Sequence, residues 1–169
     1  MNARSDSEST TAKNPTTVEP KSEREIVVTR TFDAPARLVF EAWSRPELFK
    51  RWWVPRSMGM TLRSCEMDVR TGGKYRLVFG DDPAHPMAFF GNYLEVAPNQ
   101  RIVWTNEENG EEGSVTTVTF EERDGKTLQI MSELYPAKEA LDAAGTGAQE
   151  VTHETYEQLD ELLAELSAR

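Results

Sequence analysis

A single cysteine, Cys65, in 169 residues excludes an internal disulfide, and neither histidine, His85 or His153, stands near it in sequence to complete a metal-ligand cluster. The expectation is a protein without metal or cofactor in a reducing cytoplasm. Basic residues are few beside the acids: 19 Lys and Arg against 29 Asp and Glu give a formal net charge of −10. That balance repels a phosphate backbone and an anionic membrane, so neither nucleic acid nor membrane is expected as a partner. No apolar run is long enough to span a bilayer, and the opening MNARSDSESTTAKNPTTVEPKSE lacks the apolar stretch of a signal peptide. Catalytic signals are missing too. Neither histidine has a nucleophile beside it, and the pairs Glu107-Glu108, Glu111-Glu112 and Glu121-Glu122 fall where solvated charge is the ordinary reading. A binding protein is expected, not a turnover enzyme.

What the chain does contain is sorted along its length. Residues 1–23 are Ser, Thr, Asn, Pro and charge, too poor in large apolar side chains to offset chain entropy, and are predicted to be a disordered tail. One ordered domain follows over 24–169, a length that suits a single hydrophobic core. EREIVVTRTF has the β-branched and aromatic content of a strand. Asp33 is placed to cap a helix over PARLVFEAW, and RPELFKRWW restarts a second short helix at Pro46. From Met58 the period changes to that of strands. GMTLRSCEMDVR, GKYRLVFG, MAFFGNYLEVA, RIVWTNE, SVTTVTFEER and KTLQIMSELY are separated by short Gly, Pro, Asn and Asp turns, which predicts an antiparallel meander. GAQEVTHETYEQLDELLAEL then puts Val151, Thr155, Leu159, Leu162 and Leu166 on one helical face.

This order predicts an α+β domain in which a curved antiparallel sheet wraps around a long C-terminal helix, with two short helices after the first strand. The space between them is a ligand-pocket candidate. Trp52 and Trp53 are adjacent in a helical turn, so their side chains diverge by about 100° and at most one can enter the core. The other is left to guard the pocket mouth. Trp43 and Trp104 are further wall candidates. In AFFGNY, strand alternation sets Phe89, Gly91 and Tyr93 on one face. Gly91 there either eases sheet curvature or leaves room for ligand. Burying about 300 Å² of apolar ligand surface yields roughly 7 to 8 kcal/mol. A micromolar complex needs about 8 kcal/mol after entropy losses, so polar anchors are required; Tyr75, Arg76, Asn92 and Tyr93 are the candidates.

The runs RTFDAPARLVFEAWSRPELFKRWWVP, CEMDVRTGGKYR, GNYLEVAPNQRIVWT and VTTVTFEERDGKTLQI, with the closing helix, resemble the START-like (SRPBCC) superfamily, in the branch named after the activator of the heat-shock-protein ATPase. The resemblance spans Arg24 to Leu166 and implies a helix-grip fold around an apolar cavity. It departs from that branch at Val151-Thr152, where a glycine-tryptophan pair is common, which implies a less aromatic wall on the helix side. Members bind lipids, polyketides, hormones and other apolar molecules. Whole-chain resemblance to self-resistance members implies an enediyne antibiotic of the calicheamicin type as ligand, bound by a monomer. In such members a backbone glycine would quench the ligand's diradical by giving up its α-hydrogen, with self-cleavage. Gly113 is the first candidate donor, with Gly110 and Gly91 behind it. A polyketide aromatase/cyclase and a co-chaperone-like module acting on a heat-shock ATPase are the competing expectations.

Overall fold

The computed structural model of the chain describes residues 16–59, 62–80, 84, 87–108, 111–139 and 147–168. Strand β1 is Thr17–Pro20 and β2 is Glu25–Phe32; helices α1, Ala36–Ser44, and α2, Pro46–Phe49, lead through a 3₁₀ turn at Arg56–Met58 into the meander. Its strands are β3 Leu62–Met67, β4 Lys74–Phe79, β5 Met87–Ala97, β6 Arg101–Glu108, β7 Glu111–Arg123 and β8 Lys126–Leu134, and helix α3 is Gly147–Ser167. One antiparallel sheet runs in the order β1-β2-β8-β7-β6-β5-β4-β3. The short connections of the meander fix that order, and β8 returns to pair with β2 in the register Thr29↔Ile130. Asp124-Gly125 turns β7 into β8 with φ of 55° and 79°, the left-handed pair that a tight hairpin needs.

Strand β1 corrects the expected tail. Residues 17–20 pair with β2, Val18 opposite Val28, although the sequence reading extends disorder to Glu23. The reason lies elsewhere in the chain: Val18 packs on the core, and Arg30 Nη1 donates to Thr16 Oγ1 at 2.7 Å. A second correction concerns the cap of α1. Asp33 lies beside Lys126 Nζ at 3.6 Å, the N-cap position belongs to Pro35, and Glu122 Oε1 accepts the Ala36 N–H at 2.9 Å. A carboxylate from the β7–β8 hairpin thus satisfies one orphan donor of the helix end. Two more bonds hold the helix to that hairpin, Thr127 Oγ1 to the Ala34 carbonyl and Trp43 Nε1 to Gln129 Oε1, both 2.7 Å.

The concave face is divided between helix and space. Helix α3 covers the β2–β8 side, where Phe32 meets Tyr156 edge to face at 5.5 Å, the Tyr156 hydroxyl donates to Met131 Sδ at 3.6 Å, and Arg30 pairs with Asp160. Its buried face carries Thr155, Leu159 and Leu162 as the periodicity predicts, joined by Tyr156, Leu163 and Gln158. The Val151 side chain lies outside the description. Helix α2 is shorter than RPELFKRWW suggests. After Phe49 the chain turns, and the segment carrying both tryptophans is strapped across α3.

Gln158 makes that strap. At 4% exposure its Nε2 donates to the Trp52 carbonyl at 3.0 Å and the Val54 carbonyl at 2.9 Å, while Oε1 accepts the Arg56 N–H at 2.9 Å. Ion pairs Arg51–Glu165 and Arg56–Glu161 flank it in solvent and add little. Removing the amide leaves three backbone groups without partners, two of them carbonyls that also lack water when buried. Gln158→Ala is therefore expected to lower unfolding free energy by about 2 to 4 kcal/mol. Urea denaturation measures this, and a loss below about 0.5 kcal/mol would show that the strap is held by something else.

Candidate functional site

On the other side of the concave face the sheet and helices enclose a cavity of about 250 Å³. Strand parity builds its floor. Tyr75, Leu77 and Phe79 from β4 pair with Gly91, Phe89 and Met87 of β5, and Tyr93 pairs with Trp104 of β6. The roof comes from the helical segment: Trp43 on α1, Phe49 at the end of α2 and Trp53 in the turn beyond it. Trp53 stacks on Phe49 with ring centroids 4.8 Å apart, and Trp43 touches Trp104, tilted, at 5.5 Å, joining roof to floor. Phe89, 37% exposed, marks the mouth. Among the described residues α3 contributes nothing to the lining, so the aromatic helical wall expected to be weak is supplied by α1, α2 and the strap.

The two adjacent tryptophans separate. Trp52 is 0% exposed, donates its Nε1–H to the Ala42 carbonyl at 3.0 Å and belongs to the core, not to the cavity. Trp53 lines the cavity. Trp43, Tyr75, Phe89, Tyr93 and Trp104 line it as well. Arg76 and Asn92 do not: each follows or precedes an inward tyrosine by one residue, so the two-residue period sends both to the outer face. Asn92 Nδ2 there donates to Glu107 Oε2 at 2.7 Å. Gly91 also fails to line the cavity. An added Cβ would stand 1.9 Å from the Thr105 carbonyl oxygen and 2.9 Å from the Tyr75 ring, so glycine there serves close approach of backbone and ring.

Gly113 sits beside the site. At the irregularity in the β6–β7 register, Gly113 and Ser114 stand opposite Asn106, and a Cβ on Gly113 would meet the Asn106 carbonyl oxygen at 2.1 Å. Besides the apolar Phe49, Met67, Leu77, Phe79 and Ile102, the sequence reading missed one polar lining residue, Asn106. Its signal was available: it follows Ile102 and Trp104 at the same parity, a polar residue on an inward face. Its Nδ2 donates to Ser114 Oγ at 3.0 Å and Thr116 Oγ1 at 2.9 Å, and the Tyr75 hydroxyl donates to the Thr105 carbonyl at 2.8 Å and to Asn106 Oδ1 at 3.1 Å. Ser114 Oγ in turn donates to Glu133 Oε2 at 2.8 Å. Gly110 and His85 lie outside the described residues.

Burial governs the titration of the groups around the cavity. It pushes the Cys65 thiol up to about 11, against a smaller opposing pull from Lys50, so the group is a thiol at neutral pH and a poor nucleophile. His153 is exposed on α3. Tyr75 and Tyr93 are raised by burial first; the acids Glu107 and Glu133 add to the effect at Tyr75, and the Tyr75 ring hydroxyl at Tyr93. No group of three or more His, Cys, Asp or Glu among the described residues is arranged to hold a metal, and no described helix is long and apolar enough to cross a membrane.

A concave antiparallel sheet, a C-terminal helix seated in one half of it and an apolar cavity in the other define a helix-grip fold of the START type. A family profile described as "Activator of Hsp90 ATPase homolog 1-like protein" matches residues 33–164, and the chain belongs to that family. A solved protein of Rhodobacter sphaeroides is similar at 24% identity and a TM-score of 0.80, over 89% of this chain and 99% of that one. A Staphylococcus epidermidis protein is similar at 28% identity and 0.73, over 88% and 94%. CalU16 of Micromonospora echinospora shares 18% identity and a TM-score of 0.60, over 89% and 84%, a likeness of fold alone. Among curated proteins there is no match.

All four tyrosines of the chain, Tyr75, Tyr93, Tyr135 and Tyr156, are raised above the ordinary phenol value near 10, in each case by burial first. The fold favours their neutral form, so the stability they contribute is complete below about pH 10 and is lost as pH climbs toward the folded values. Tyrosinate absorbance at alkaline pH should therefore stay flat through pH 10 and rise in one step together with loss of circular dichroism. A gradual rise centred near pH 10 with the fold intact would contradict this burial.

Proposed function

We propose that the protein is a stoichiometric binder of a compact, largely aromatic small molecule held in this cavity, and that it does not turn the molecule over. The observation that carries the reading is the cavity itself, walled on both sides by aromatic rings, with Tyr75, Tyr93 and Asn106 as its polar lining. Such apolar concavities with few polar groups are the common form of small-molecule sites. The described lining holds no carboxylate, imidazole, thiol or amine to act as nucleophile or general base. A volume of about 250 Å³ is just below the usual range of ligand pockets, roughly 300 to 1,000 Å³, and suits a body of two or three rings.

Calorimetric titration with neutral two- and three-ring aromatics checks the reading. Micromolar binding by the intact protein is expected, weaker by about tenfold in Trp53→Ala, which removes a wall. Trp52→Ala, by contrast, should cost about 3 to 5 kcal/mol of stability as a core truncation. Absence of binding by every such compound would leave the cavity a packing defect and remove the proposal.

An enediyne is the more specific form of the same proposal. What supports it is the place of Gly113, next to the lining residue Asn106. A ligand radical that takes the Gly113 α-hydrogen gains a C–H bond and leaves a carbon radical stabilised by both flanking amides. Oxygen adding at that carbon leads to backbone cleavage. An enediyne core is of a size to enter, with larger appendages left at the Phe89 mouth. Incubation with calicheamicin and a thiol in air should give two fragments meeting at Gly113 by intact-mass spectrometry. An unbroken chain under conditions that cut control DNA would remove the enediyne form and leave the broader one standing. Gly113→Ala is unsuited to the purpose, because its Cβ would collide with the Asn106 carbonyl.

A further inference from the structure

Inside the cavity the polar groups are unequal in what they have left to offer. The Tyr75 hydroxyl has one proton, already directed to the Thr105 carbonyl and Asn106 Oδ1. The Asn106 amide is engaged at both ends, its Nδ2 with Ser114 and Thr116 and its Oδ1 with Tyr75. Tyr93 differs. It is 5% exposed, lines the cavity and packs its ring 5.7 Å from that of Tyr75, yet its hydroxyl takes part in no hydrogen bond among the described residues. The hydroxyl oxygen keeps some accessible surface although the residue is buried, so it is open to whatever fills the cavity, and a phenol so placed among apolar walls gains most from a partner there.

The surroundings narrow what those contents are. No lysine or arginine is among the lining residues, and the polar chain leading away from the cavity ends on a carboxylate, Glu133, reached through Asn106 and Ser114. An anionic head group would find no counter-charge and a nearby like charge. The flanking walls are aromatic and set at angles to one another: Trp43 and Trp53 above, their planes 65° apart, and Trp104 below, tilted 42° from Trp43 where the two meet at 5.5 Å. Rings presented at such angles offer edge-to-face and offset contacts, which an aromatic ring system uses best.

We propose that Tyr93 is the specificity-determining hydrogen-bond donor of this cavity, and that the ligand is an uncharged planar ring system carrying a carbonyl or ether oxygen that accepts from it. This rests on the small-molecule reading above and adds to it the chemical class. A negative charge held inside the cavity is disfavoured by the same geometry, and a ligand of pure hydrocarbon leaves the Tyr93 hydroxyl without an acceptor. A donor held in an apolar site discriminates by leaving a partner unsatisfied when the ligand lacks the matching atom.

Fluorene, fluorenone and fluorene-9-carboxylate form a size-matched set that differs at one position: a methylene, a carbonyl and a carboxylate-bearing carbon. Calorimetric titration of the full chain is expected to show fluorenone binding about five to tenfold more tightly than fluorene, and the carboxylate weakest. In Tyr93→Phe, which keeps the ring and its contact with Tyr75, fluorenone should fall to the affinity of fluorene while fluorene is unchanged. The melting temperature of that variant should stay within a degree or two of the parent, since no protein hydrogen bond is lost. Equal affinity of fluorene and fluorenone, or a Tyr93→Phe protein that keeps its preference for the ketone, would overturn the role of Tyr93 while leaving the cavity a binding site. Tightest binding by the carboxylate would overturn the neutral class. Failure of all three to bind would overturn the small-molecule reading, and this inference with it.

Discussion

The three hydrogen bonds of Gln158 are the constraint on which the site depends. A turn containing two tryptophans and a proline, Trp52 to Pro55, has few backbone bonds of its own, and a buried turn must still satisfy its carbonyls. By accepting one N–H and donating to two carbonyls, a single amide on α3 fixes the direction in which the chain crosses the helix. From that direction follows the division of labour between neighbours: Trp52 enters the core and Trp53 turns to the cavity. The cavity roof is thus positioned by a helix that, among the described residues, does not itself line it.

The same logic explains why the sheet leaves space at all. Helix α3 covers one half of the concave face, and the other half is bridged by rings large enough to span the gap without filling it. Trp43 is the junction, contacting Trp52 at 4.8 Å on the core side and Trp104 at 5.5 Å on the cavity side. Its indole N–H is fixed by Gln129, so the ring has little freedom to collapse inward. Cavities lined by rigid aromatics are kept open because the surrounding rotamers have no lower-energy way to close.

The sequence disclosed the features that depend on period and left out those that depend on distant partners. Alternation in KYRLVF and AFFGNY identified the strands and set Phe89 and Tyr93 on one face. The same alternation, applied to Tyr75-Arg76 and Asn92-Tyr93, would have shown that only one member of each pair can face inward. The heptad-like spacing of α3 gave Leu159 and Leu162, while Gln158, three residues after Thr155 and four before Leu162, shares their face, and a lone polar residue there carried no local sign of its three backbone partners. Nor could Asp33 be distinguished from Glu122 as the partner of α1, since a near residue of capping type is the natural expectation and the actual carboxylate is 86 positions away. Strand β1 was hidden for a similar reason, its order being conferred by β2 and Arg30 rather than by its own composition.

The attachment of α1 to the β7–β8 hairpin bears on how the molecule comes together. Three bonds, Ala36 to Glu122, Trp43 to Gln129 and Thr127 to Ala34, span 86, 86 and 93 positions. A nine-residue helix is marginal by itself. Its cap and its anchoring ring bond both wait on a hairpin that is made much later in the chain, so an emerging polypeptide has synthesised α1 long before anything exists to hold it. Closure of so long a loop precedes the return it brings, which places this fold among the slower, high-contact-order topologies. During synthesis the aromatic cluster of Trp43, Phe49, Trp52 and Trp53 is therefore the part of the chain longest exposed to other surfaces, and the part with most to gain from early protection.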